Sequence, residues 1–162
     1  MTEILQTLHG SRLYGTHHAQ SDYDTFVVAG LTGRTRQKIL GADDAIRMSL
    51  DGFLDNVFRG SAQSCEALFS PVAIIDPHYA AMFAGIRVTG SDAFRRYRRT
   101  IDAHTRGTLK QRRHAVRLGL NFAELRTTGR FNPQLDDAQK RKVRDIADRH
   151  AGAELYDIAS NF

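Results

Sequence analysis

Two carboxylates separated by one residue, Asp22 and Asp24, stand just ahead of the apolar run TFVV at 25–28. Side chains alternate along an extended chain, so if the pair enters that strand both carboxylates leave one face. Two like charges held together repel unless a divalent cation lies between them. Magnesium takes carboxylates, phosphate oxygens and water, which is the ligand set such a pair offers. Upstream, Gly10-Ser11 follows a short apolar segment and opens a turn or helix. Backbone N–H groups there, with the Ser11 hydroxyl, can meet a phosphate. Taken alone, a D-x-D on a loop reads as turn chemistry or helix capping. Together the two features describe a phosphate cradle beside a metal pair.

The stretch from 10 to 28, GSRLYGTHHAQSDYDTFVV, resembles the active-site signature of the DNA polymerase beta-like nucleotidyltransferase superfamily. That signature is a Gly-Ser, a short helix, then two metal-binding aspartates opening the next strand. Gly10, Ser11, Gly15, Ser21, Asp22 and Asp24 fall on it without insertion. More narrowly, GSRLYGT followed by SDYD is similar to the bacterial and phage branch that includes the RNA-ligase-associated enzymes. CEALFSP at 65–71 and the pattern K-x-x-x-H-x-x-R at Lys110, His114 and Arg117, ahead of RTTGRFNP, belong to the same likeness, which covers residues 8–133.

The resemblance implies a small mixed β-sheet flanked by helices. It also implies transfer of a nucleoside monophosphate from a nucleoside triphosphate, ATP by default, to a hydroxyl acceptor, with release of pyrophosphate. Asp22 and Asp24 would hold Mg²⁺, with Mn²⁺ as a substitute, and a third carboxylate is expected at Asp44, with Asp43 and Asp51 as alternatives. An RNA end, a protein hydroxyl or a small molecule are open as acceptor. A catalytically silent module that keeps the fold and binds nucleic acid or a protein is the alternative from another class.

Other residues extend the expected nucleotide site. Arg12 follows Ser11 and stands to reach a phosphate or to form a salt bridge on the short helix. Lys110, His114 and Arg117 fall on one helical face at intervals of four and three. Lys110 and Arg117 are expected to grip phosphate, and His114 either to join them or to be a buried, hydrogen-bonded histidine. Similar proteins also carry Glu at position 66, where it would order a basic residue near the nucleotide; the other reading is a partly exposed helix glutamate. Tyr14 reads as packing, His17 and His18 as solvated loop, and Cys65 as an inert buried thiol. Arg95, Arg96, Arg98 and Arg99 read as a solvated helix face or an acceptor-binding one.

These residues need elements to position them. Strands are predicted at 2–8, 25–31, 44–49 and 72–75, and one helical turn after Gly10. Leu50, Phe53, Leu54, Val57 and Phe58 recur at helical spacing before Gly60, and a second helix runs over 63–69. From Ser91 on, only helices are predicted, over 91–106, 109–127 and 136–150, with Phe94, Tyr97 and Ile101 on the buried stripe of the first. The class is therefore α+β, with a core over 1–90 and a helical C-terminal portion over 91–162 packed on it.

Composition limits the remaining possibilities. At 162 residues, with 41% apolar residues and three prolines, the chain can bury a core without staples. A single cysteine excludes a disulfide framework within the chain, and no apolar run reaches the length of a membrane span. The opening segment has no long apolar centre, so a cytoplasmic protein is expected. The 23 basic and 18 acidic residues leave a net charge of +5, which favours anionic partners.

Overall fold

β-Branched and apolar residues dominate TFVVA, and in the computed structural model, which describes residues 2–30, 36–39 and 44–162, this run is strand β2, Thr25–Ala29. It lies at the centre of a five-stranded mixed sheet of order β3-β4-β2-β1-β5. Four of its five residues are buried, as expected of a strand covered on both faces. Strand β1, Glu3–Leu8, pairs antiparallel with β2, and β4, Ala45–Ser49, runs parallel to it with Thr25 opposite Ala45. Edge strands β3, Arg36–Ile39, and β5, Ile74–Ile75, pair antiparallel with β4 and β1.

A single turn, α1 at Ser11–Tyr14, connects β1 toward β2. Ser49 caps α2, Leu50–Phe58, and α3 follows at Ala62–Phe69. Asp76, with Pro77 next, caps α4, Pro77–Gly85. Helix α5 spans Ser91–Asp102. Capping boxes at Thr108 and Asp136 open α6, Leu109–Thr128, and α7, Asp137–Arg149. Gly129, in the left-handed conformation, ends α6, and α8, Gly152–Ser160, completes the helical portion. Among the described residues, side-chain caps open α2, α4, α6 and α7, while α1, α3, α5 and α8 start without one. The fold is α+β, as the order of elements implied.

Three elements exceed the sequence reading: β3, α4 and α8. Helix α5 also ends at Asp102 rather than at Gly107, and β5 is shorter than the predicted strand. One apolar cluster runs through both portions, joining Phe26, Phe53 and Phe83 on the sheet side to Tyr97, Phe122 and Phe131 on the helical side. Its aromatic rings meet in sequence: Phe26 on Phe53 at 5.8 Å, Phe69 on Phe131 at 5.1 Å, and Tyr97 stacked on Phe122 at 5.5 Å. No helix among the described residues is long and apolar enough to cross a membrane.

Candidate active site

The end of β1 and the approach to β2 bring the two halves of the sequence motif together. His9 N–H donates to the Asp24 carbonyl at 2.8 Å, extending the β1–β2 pairing by one residue. Gly10 then turns the chain with φ 66° and ψ −149°, a region essentially reserved for glycine. A β-carbon on Gly10 would lie 3.0 Å from Asp24 Oδ2. The Asp24 carboxylate therefore rests against the turn that starts α1, where Ser11 is half-buried.

Asp44 comes to the same end of the sheet. Thr25 N–H donates to the Asp44 carbonyl at 2.9 Å, and Thr25 faces Ala45 in the parallel register, so Asp24 and Asp44 are adjacent lead-ins to neighbouring strands. Asp51 is set apart, exposed in the first turn of α2 beyond the far end of β4. A five-residue strand is about 16 Å long, which keeps Asp51 from the Asp24 end. Asp43 lies outside the described residues.

Asp22 does not enter β2 as a strand residue. It is exposed in the loop before it, and Asp24 is half-buried. That loop is held by Arg12, whose contacts among the described residues are backbone carbonyls and an aromatic ring. Its Nη2 donates to the Ser21 carbonyl at 2.6 Å, and Nε to the Ser21 and Asp22 carbonyls at 3.2 and 3.1 Å. The guanidinium also lies 3.4 Å from the centre of the Tyr23 ring. Among the described residues no group of three His, Cys, Asp or Glu side chains is gathered that could hold a metal ion.

Arg117 also departs from its expected role. It is 3% exposed and donates from Nη1 to Glu66 Oε1 at 2.7 Å, where Glu66 is 2% exposed. Its guanidinium stacks on the Tyr14 ring at 3.4 Å, and the Tyr14 hydroxyl donates to Glu66 Oε2 at 2.7 Å. Burial works against the charge on Arg117, but Glu66, with Tyr14 and Tyr97, outweighs it and holds the guanidinium above its ordinary value. A cation so enclosed is a tie between α1, α3 and α6 rather than a grip on phosphate. Glu66 thus orders a basic residue and is not exposed.

His114 belongs to the same network. Arg117 Nη2 donates to its Nδ1 at 2.9 Å, so Nδ1 carries the lone pair. Burial, then the charges of Arg117, His104 and His9, push its pKa down to about 2. His104 packs edge-on at 4.6 Å and donates from Nδ1 to the Thr100 carbonyl. Of the three residues on that face, only Lys110 is exposed. The spacing was right, but the face turns into the protein within two turns.

His9 was missed by sequence reasoning. It lies between Tyr14 and Phe26, contacts Gln63 through Nε2 at 2.8 Å, and has a buried Nδ1 without a hydrogen-bond partner. Burial lowers its pKa. Its place directly before Gly10 was the available signal. Cys65 is fully buried and its thiol is pushed up to about 12 by burial, in keeping with an inert group. His17 and His18 are exposed. Away from these residues, an open depression of ≈390 Å³ is lined by Glu124, Asn132, Leu135 and Asp136, and another of ≈490 Å³ lies between α5 and α8. No family model matches the chain, and no curated protein matches it.

Proposed function

We propose that the chain is a metal-dependent nucleotidyltransferase acting from the β1–α1 turn and the leading ends of β2 and β4. The observation that carries the reading is the contact of the Asp24 carboxylate with the β-carbon position of Gly10. It brings the Gly10–Ser11 turn and the acidic residue together, which supports the arrangement that the sequence motif implies. Asp44 beside Asp24 on a parallel strand supports it further. So does Arg12, whose bonds to the Ser21 and Asp22 carbonyls fix the loop that carries the second aspartate.

The donor set suits magnesium: hard carboxylate oxygens from Asp22, Asp24 and Asp44, beside a turn where a β-carbon is excluded. Those three carboxylates are not gathered on one point as they stand and would have to converge to hold the ion, which when bound would supply positive charge to the triphosphate and the leaving pyrophosphate. The chain's own contribution is orientation. Ser11 and the N–H groups of the α1 turn would meet the terminal phosphates, while the Arg117–Glu66–Tyr14 tie fixes α1 against α3 and α6. ATP as donor and an RNA end, protein or small-molecule hydroxyl as acceptor follow from the family likeness. A single buried cysteine fits a reducing compartment such as the cytoplasm.

The test incubates the protein with each α-labelled nucleoside triphosphate, magnesium, and separate pools of RNA, protein and metabolites. Label transfer or pyrophosphate release is expected in the wild type. Asp22→Asn and Asp24→Asn should abolish it while leaving the melting temperature unchanged or raised, because removing an anion relieves repulsion. Equal activity in wild type and both variants overturns the reading.

A further inference from the structure

Helix α5 places four arginines and two aspartates within twelve residues. Its buried stripe of Ala93, Tyr97 and Ile101 turns Arg95, Arg98 and Arg99 outward and leaves Arg96 half-buried. Three of them, Arg95, Arg98 and Arg99, line the ≈490 Å³ depression together with Phe94, Tyr156 and Asp102. Phe94 and Tyr156 are half-buried, so each ring is anchored in the core while part of it faces the depression. The carboxylates nearby do not balance the arginines. Asp92 pairs with Arg95 at 3.1 Å and Asp102 reaches Arg106 at 3.6 Å. Arg99 has no carboxylate partner among the described residues.

The cationic surface continues past the depression. Arg98 and Arg126, both exposed, lie over the same Phe122 ring at 5.3 and 5.0 Å. Arg126 also donates to the Phe162 carbonyl at 2.9 Å, and Lys142 Nζ sits 4.2 Å from the Phe162 ring centre. The result is a run of cations from α5 to Lys142 with the partly exposed rings of Phe94, Tyr156 and Phe162 among them, over a buried Phe122. Sugar-phosphate backbones take the cations and unpaired bases take the rings. A base paired in a duplex has no free face for Phe94 or Tyr156.

We infer that the α5–α8 depression and the arginines beside it bind single-stranded nucleic acid, with phosphates on Arg98, Arg99 and Arg126 and a base against Phe94 and Tyr156. The inference does not rest on nucleotidyl transfer, since binding is measured with neither nucleotide nor metal present.

The experiment is fluorescence anisotropy of the full chain with a labelled mixed-sequence single-stranded RNA, its DNA counterpart and the corresponding RNA duplex, across a salt series. Single strands are expected to bind at least tenfold more tightly than the duplex. Arg98→Gln with Arg99→Gln should weaken single-strand binding at least tenfold and make the log–log salt slope shallower by about 1.4, the value for two lost phosphate contacts on a single strand. Arg99→Gln alone, at an exposed side chain, should give about half that change in slope with an unchanged melting temperature. Tyr156→Ala should lose about tenfold with the slope preserved, as removal of a stacking platform does. Arg47→Gln, on strand β4 rather than in the α5–α6–α8 group, serves as the charge control and should stay within twofold. Equal loss in that control overturns the inference. So does equal competition by polyglutamate, which would mark an acidic-protein surface, or equal affinity for the duplex.

Discussion

At the scale of single residues, Arg117 carries the clearest energetic consequence. A guanidinium that is 3% exposed is tolerable only while a carboxylate answers it, here Glu66 at 2.7 Å. Arg117→Ala leaves the Glu66 charge buried without a cation, held by the Tyr14 hydroxyl alone, and should cost about 3–5 kcal/mol in urea unfolding. Pairing Arg117→Met with Glu66→Leu should lose less than Arg117→Ala, because apolar side chains of similar volume then replace both charges, although the Tyr14 hydroxyl gives up its acceptor. A single variant as stable as the wild type would contradict the burial. His114 sets a pH dependence beside it. Its pKa is about 2 in the folded chain, against an ordinary 6.5 when unfolded. Below pH 6.5 the unfolded chain binds the proton and the folded chain does not, so stability is complete above that pH and falls as acid is added. The slope is about 1.4 kcal/mol per pH unit. His9, also held low by burial, adds a loss of the same sign. His114→Gln keeps an acceptor for Arg117 and should flatten the fall between pH 6.5 and 5, measured by urea unfolding at both values.

At the scale of elements, the β1–α1 turn is the piece on which site geometry depends. Gly10→Ala would place a methyl 3.0 Å from Asp24 Oδ2 and force φ 66° on a residue with a side chain. It should destabilise by about 1–3 kcal/mol and, on the proposed function, abolish label transfer by displacing the carboxylate. A fully active Gly10→Ala would separate that turn from the chemistry. Much of this region was legible in advance: the glycine, the aspartates and the apolar strand carry local signals that do not depend on the rest of the fold. Arg12 was not, because its partners are backbone carbonyls nine and ten residues away, to which sequence patterns are blind. Arg117 was misread for a related reason. Helical spacing gives the angular position of a side chain but not what packs over it, and Glu66 is 51 residues distant. The unpredicted elements differ in cause. β3 is a four-residue edge strand of largely polar sequence, whereas α4 announced itself through Asp76-Pro77, a cap followed by proline at the first turn.

At the scale of the molecule, helix α6 joins the parts. It packs against α5, α7 and α8, and through Arg117 reaches α1 and α3 at the opposite side. The closeness of its crossing with α8 comes from one residue. A β-carbon on Gly119 would sit 2.2 Å from the Ala159 carbonyl oxygen, with no flexible side chain to yield. In an open helix, glycine to alanine gains about 1 kcal/mol from helix propensity. Here the same change must push the α8 backbone away, and overpacking of this kind costs about 1–3 kcal/mol, which exceeds the gain. Gly119→Ala should therefore lower stability in urea unfolding, and a stabilised variant would show that the two helices are not in backbone contact. Because α8 carries Tyr156, the displacement should also weaken single-strand binding at a position that touches no strand. A second variant distinguishes this coupling from general loosening: Leu118→Ala, a cavity in the same helix with α8 left in place, should lose about 2–5 kcal/mol of stability. It should bind the single strand as the wild type does at temperatures where both are folded.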